Sequence, residues 1–128
     1  MDKFSNSLNW FEIPATNILR AKKFYEAIFS IKMDVLPEMM GMKMVGFPSE
    51  TGSGKVTGGI TQSQMHKPSQ DGCVIYLNAD PDIQIIIDRI VSAGGKVVMQ
   101  KTQVTPEYGY MAFFIDTEGN KIGLHSRK

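Results

Sequence analysis

The stretch Tyr108-Gly-Tyr-Met-Ala-Phe-Phe-Ile-Asp116-Thr-Glu-Gly-Asn120-Lys-Ile-Gly123-Leu-His125-Ser126 decides how the chain is read. An apolar run ends at Asp116, a turn containing Gly119 reverses the chain, and an alternating segment follows from Lys121 to Ser126. That order predicts a β-hairpin. Because strand side chains alternate, Gly123 and His125 share one face of its second strand. One lacks a side chain where a ligand would be held; the other supplies an imidazole.

The hairpin closes a plan that occurs twice. In the first half, residues 9–14 read as a strand stopped by Pro14, with Trp10 and Glu12 on one face and Phe11 and Ile13 on the other. Thr16 or Asn17 can cap a helix whose apolar positions are Ile18, Ala21, Phe24 or Tyr25, Ile28 and Phe29. Residues 32–37 and 42–48 read as strands around a Met-Met-Gly turn, 49–55 as a loop, and 56–62 as a strand. Gly58 and Gly59 mark a bulge or a close approach there. Residues 63–72 are polar and turn-rich, a linker in which His66 reads as a surface residue.

In the second half, 73–79 is a strand with Cys73 at its buried start, and Asp80-Pro81 is an N-cap and first-turn proline. Ile83, Ile86, Ile87, Ile90 and Val91 stripe a helix closed by Gly94-Gly95, and 96–104 precedes the hairpin. Ala15 and Ala79, Lys32 and Lys96, and Gly59 and Gly123 are each 64 residues apart. The same offset equates Trp10 with Val74, Glu12 with Tyr76 and Thr61 with His125. The expected fold is α+β: one domain over 1–128, with a βαβββ module at about 8–62 and another at about 73–126. Neither half alone covers both faces of its sheet, so the modules are expected to pair around a shared concave surface.

Composition narrows the function. The chain has 128 residues, a net charge of +1 and 42% hydrophobic residues, which excludes a disordered chain and a partner held by charge, so no nucleic acid or membrane is expected. One cysteine, no apolar run of transmembrane length, and no basic-then-apolar start to the chain point to the cytoplasm. Met39, Met40, Met42 and Met44 are read as core filling.

Trp-Phe-Glu-Ile-Pro at 10–14, Arg-Ala-Lys-Lys-Phe-Tyr-Glu-Ala-Ile-Phe at 20–29, Ala-Gly-Gly-Lys-Val at 93–97 and the hairpin at 112–126 resemble the glyoxalase/bleomycin-resistance/extradiol-dioxygenase family, also called vicinal oxygen chelate proteins. The nearest likeness is to a bacterial subgroup related to lactoylglutathione lyase. The resemblance implies two βαβββ modules paired into a half-open barrel, a homodimer, and a cavity for a small molecule and commonly a divalent metal. The family's ligand positions fall on Trp10, Gly59, Val74 and Gly123, none of which can bind a metal through its side chain. No cofactor is therefore expected, and a metal would need a non-standard site built on Glu12, His125 and Tyr76.

Three functional readings remain, the last of them an interaction protein whose cavity is a relic. In the first, a metal-free cavity binds a small, partly planar organic ligand through Trp10, Gly59, Thr61, Tyr76 and Gly123: Trp10 is a flat wall, Tyr76 and Thr61 are hydroxyl donors, and the glycines enlarge the cavity. In the second, a lyase or isomerase uses Glu12 and His125, both facing the cavity, as an acid/base pair, with the Glu12 pKa raised by an apolar setting. The bland alternative is that these two side chains satisfy each other or face water. Lys101, Tyr108 and Tyr110 are placed near the rim.

Overall fold

The computed structural model describes residues 1–128, and each half repeats one five-element unit. Module one is β1 (Trp10–Pro14), α1 (Ile18–Phe29), β2 (Asp34–Val35), β3 (Lys43–Gly46) and β4 (Thr57–Gln62). Module two is β5 (Tyr76–Asn78), α2 (Ile83–Ala93), β6 (Lys96–Thr105), β7 (Gly109–Ile115) and β8 (Lys121–Ser126). The sheets have the orders β1-β4-β3-β2 and β5-β8-β7-β6, so the first strand of each module lies parallel to its last. The sheets are separate: the barrel stays open.

Strand register carries the 64-residue repeat. Glu12 lies opposite Gly59 and Tyr76 opposite Gly123; Pro14 lies opposite Thr61 and Asn78 opposite His125. The last residue of each module's final strand does one task at both sites. Gln62 Oε1 accepts from Ile18 N at 2.8 Å, and Ser126 Oγ accepts from Ile83 N at 3.1 Å. Each bond satisfies a first-turn N–H that has no partner within its helix.

Some sequence boundaries move. The segment 32–37 contributes only Asp34 and Val35 to a strand, because Met33 turns into the core while both strand residues stay exposed on the sheet edge. The segment expected at 73–79 is a strand only over Tyr76–Asn78, which leaves Cys73 exposed and outside it. Asn17 caps α1, its side chain accepting from Arg20 N, and Asp82, not Asp80, caps α2 by accepting from Gln84 N. The α2 C-cap is Gly94 at φ 107°, a left-handed conformation that suits glycine.

The modules share one core. Ile13, Phe24, Tyr25, Ile28 and Ile60 from module one and Ile83, Ile90, Phe114, Ile122 and Leu124 from module two are buried in one cluster. α1 packs on α2, and Phe24, Tyr25 and Phe114 meet ring to ring with centroids 5.0–6.3 Å apart. Module two also holds both ends of α1. At its start, the buried Glu118 carboxylate accepts from Thr16 N (2.9 Å), Asn17 N (2.8 Å) and Arg20 Nε (2.7 Å). At its end, Arg89 Nη1 donates to Ile28 O at 3.2 Å. A negative charge at a helix start and a positive one at its end both oppose the helix dipole favourably.

The turn carrying Glu118 is itself locked. Asp116 Oδ1 accepts from Glu118 N and Asn120 N at 2.9 Å each, and Oδ2 accepts from Tyr25 Oη at 2.7 Å. Asn120 Nδ2 donates to Pro14 O at 2.7 Å, and its Oδ1 accepts from Ser69 N at 3.0 Å. Burial, with the neighbouring Asp116 charge, lifts the Tyr25 hydroxyl well above its ordinary pKa, so it stays a donor.

Burial pushes the Glu118 carboxyl up, but bonds from Arg20, Asn17, Thr117 and Thr16 outweigh it and bring the pKa from 4.5 to about 2. A carboxyl depressed on folding gives stability that is present above its unfolded value and lost as pH falls through the folded one. Stability is therefore expected to fall from pH 4.5 toward about 2. Denaturant melts across this range should show Glu118→Gln less stable than wild type by about 2 kcal/mol at pH 7, with the gap closing as acid is added.

Candidate functional site

The helix-covered face of each sheet is filled by the core, so chemistry is left to the opposite face and to the seam between modules. Along β1, Ile13 is buried under α1 and Phe11 packs on the core, while Trp10 and Glu12 take the open side, as alternation requires. A cavity of about 960 Å³ opens at the seam, and 13 of its 17 lining residues are hydrophobic. Trp10, Phe11, Phe29 and Phe47 form its module-one wall; Tyr76 and Ile86 stand on the module-two side. Trp10 is 40% exposed and Tyr76 48%, so both present ring surface to a guest.

Glu12 sits directly behind Trp10. Trp10 Nε1 donates to Glu12 Oε2 at 3.2 Å, and His66 Nε2 lies 2.8 Å from Oε1. The ring's other nitrogen, Nδ1, lies 2.7 Å from Ser63 Oγ, which accepts from Met65 N at 3.1 Å. A carboxylate only accepts, so Nε2 carries the proton facing Glu12 and Nδ1 accepts from the Ser63 hydroxyl in the neutral ring. Beneath this pair, Thr61 is completely buried and its Oγ1 has no hydrogen-bond partner.

This changes the reading of both expected acid/base residues. Glu12 and His125 do not meet within the chain: Glu12 is bound to His66, and His125 Nε2 is bound to the Tyr108 carbonyl. They stand on β1 and β8, strands of separate sheets; the cleft that Glu12 shares with β8 is lined there by Lys121 and Ile122, at the start of that strand, whereas His125 lies near its end. His125 instead lines a second pocket of about 550 Å³ with Tyr76, Asn78, Tyr108, Met111 and Arg127. Nor is the Glu12 pKa raised. Burial pushes it up, but bonds from His66 and Trp10, with the Thr61 hydroxyl nearby, bring it below the ordinary value.

His66, expected to be a plain surface residue, is the partner that sequence reasoning missed. A strand side chain's direction follows from alternation, but a linker residue's does not. The available signal was local: Ser63 and His66 are three apart in a turn directly after the strand bearing Thr61.

The glycines do not enlarge the cavity. At Gly123, an added Cβ would stand 2.6 Å from the Tyr76 ring, which lies across it in register; at Gly59 it would stand 2.5 Å from the Val45 carbonyl oxygen. Their missing side chains are occupied by neighbours. Lys101, placed near a rim, bonds Asp82 at 3.3 Å and lies over the Tyr110 ring at 4.5 Å.

The donor set does not fit the family's metal. Trp10, Gly59, Val74 and Gly123 offer no ligating atom, and nowhere do three His, Cys, Asp or Glu side chains converge in a geometry that could hold an ion.

Paired βαβββ modules around a seam cavity define a fold class, and comparison with known proteins places the chain within it. Residues 7–124 match the family model of the Glyoxalase/Bleomycin resistance protein/Dioxygenase superfamily, and the chain belongs to that superfamily. It is 30% identical to a glyoxylase-like domain-containing protein of Didymella fabae, across 91% of this chain and 90% of the relative. Among solved structures, a glyoxalase/bleomycin resistance protein from Albidiferax ferrireducens is similar in fold, with a TM-score of 0.70 and 18% identity over 96% of this chain and 100% of the other. Glyoxalase I from Zea mays gives 0.67 and 18% identity over 92% of this chain and 43% of its own.

Gly123→Ala tests the packing role of that glycine. The variant should lose about 1–2 kcal/mol in chemical denaturation, since the Tyr76 ring must move. Pairing it with Tyr76→Ala should recover most of that loss, whereas independent losses would show that the ring is not what the glycine accommodates.

Proposed function

We propose that this protein binds a small, apolar and partly planar organic molecule in the seam cavity, without a metal. One observation carries the reading: an aromatic-lined space of about 960 Å³ flanked by Trp10 and Tyr76. A space of this size suits a drug-sized guest, and apolar walls with few polar groups are what such sites use. The names of the relatives above, a glyoxylase-like protein and a glyoxalase/bleomycin resistance protein, agree with either small-molecule binding or turnover.

Geometry favours binding over the lyase or isomerase reading. Both Glu12 oxygens are engaged, its charge is stabilised, and His125 is spent on a backbone carbonyl. A depressed carboxyl is a weaker base for a carbon-bound proton. Should turnover be found, Glu12→Gln tests it: loss of the chemical step with the fold kept would restore the enzymatic reading.

The protein is further proposed to work in the cytoplasm as a homodimer, since Trp10, Tyr76, Val104 and Tyr108 are exposed and line open pockets. Light scattering should give twice the 14.3 kDa chain mass; a value equal to one chain would remove the dimer.

Trp10 is the only tryptophan, so its emission reports on the cavity alone. Titration with planar apolar probes should shift and quench that emission and raise the melting temperature. Tyr76→Ala should weaken binding about tenfold. A panel of such probes that leaves both signals unmoved would overturn the proposal.

A further inference from the structure

Next to the cavity, on the other side of its Trp10 wall, lies an acceptor cluster already holding a group from the chain itself. Glu12 presents two oxygens; Thr61 adds a hydroxyl that is fully buried, close enough to favour the Glu12 charge, and without a hydrogen bond of normal geometry. Buried polar atoms are nearly always satisfied; the Thr61 hydroxyl turns its proton toward the Glu12 carboxylate and keeps lone pairs free to accept from a further donor. What fills the site now is the His66 ring, presented by the linker and left with a side-chain exposure of only 17%.

The linker is held loosely around that ring. Met65 is 82% exposed and Gln64 and Lys67 are exposed, and the next ties to the body are Ser69 N to Asn120 and Ser69 O to Lys121 N. His66 makes the linker's one side-chain bond to β1. A competing group with the same donor character could displace it by lifting a few exposed residues.

We propose that Glu12, Trp10 and Thr61 form a recognition site for a cationic nitrogen group carried on a planar apolar body, with His66 occupying that site in the free protein. The proposal rests on the cavity reading above and names the class of ligand. A protonated amine brings the N–H donors that Glu12 and Thr61 accept, and its charge also suits the adjacent indole. Of the three residues only Trp10 lines the apolar cavity, and its indole is bonded to Glu12, so the attached planar body passes the indole to reach that cavity. An anionic group of the same shape meets the Glu12 charge and is refused. Other charges face the neighbouring cleft of about 230 Å³: Lys67, Lys121 and Asp71 line it with Glu12, and neither lysine bonds Glu12.

Benzylamine, benzoate and toluene share one ring and differ in charge, which makes them the probes. Trp10 emission and melting temperature are read at pH 7 for wild type, His66→Ala and Glu12→Gln. Benzylamine should bind wild type at least about tenfold better than benzoate, and His66→Ala should gain about tenfold more, because the competing ring is gone. Glu12→Gln should erase the amine preference. Hydrogen exchange of the 63–67 amides in wild type should speed up with benzylamine and not with toluene, as the linker lifts. Equal binding of benzylamine and benzoate, or unchanged linker exchange at saturating benzylamine, would overturn the proposal. Toluene binding without amine preference would leave the cavity reading intact and end this one; no response to any of the three would end both. If His66→Ala does not fold, the wild-type charge contrast, its loss in Glu12→Gln and the exchange data still decide.

Discussion

The rest of the structure depends on a carboxylate from one module closing the first turn of a helix in the other. Glu118 reaches across to the free N–H groups of Thr16 and Asn17 and to the Arg20 guanidinium, while Asp116, two residues earlier, binds Tyr25 one and a half turns further along α1. With Arg89 on the last turn, α1 is gripped at both ends by module two. The grip fixes the spacing of the modules, and thereby sets the width of the seam that becomes the cavity.

The repeat makes this asymmetry instructive. Gln62 and Ser126 cap their own helices in equivalent ways, so that contact is a property of the module. The Glu118 lock is not: 64 residues earlier stands Gly54, and the residues matching Asp116 and Tyr25 are Gly52 and Arg89. Only one of the two turns clamps the opposite helix. The open faces differ too: Trp10 and Glu12 in module one correspond to Val74 and Tyr76 in module two. One face became an acceptor backed by an indole; the other became an aromatic cover over Gly123.

The Glu12 environment shows how burial and hydrogen bonding compete. Removal from water alone would raise its pKa, as expected of a general base in an apolar setting. The His66 and Trp10 donors reverse the sign. The same carboxylate moves from the chemistry of proton abstraction to that of cation recognition, with no change in its place on the strand.

Local pattern was enough for a large part of this. Alternation along 10–14 separated Trp10 and Glu12 from Ile13, the Ile stripe placed α2, and the 64-residue offset matched positions that turn out equivalent in the two parallel strand pairs. Those are periodic properties, and a chain's periodicity is written in the order of its residues. What required the tertiary structure was every contact made by residues without a period: His66 on Glu12, Glu118 on α1, Tyr76 across Gly123, and the separation of Glu12 from His125. Which linker or turn side chain reaches which strand depends on how two modules settle against each other. That choice is set by a shared core and a few long-range hydrogen bonds, and so is visible only once the chain is folded.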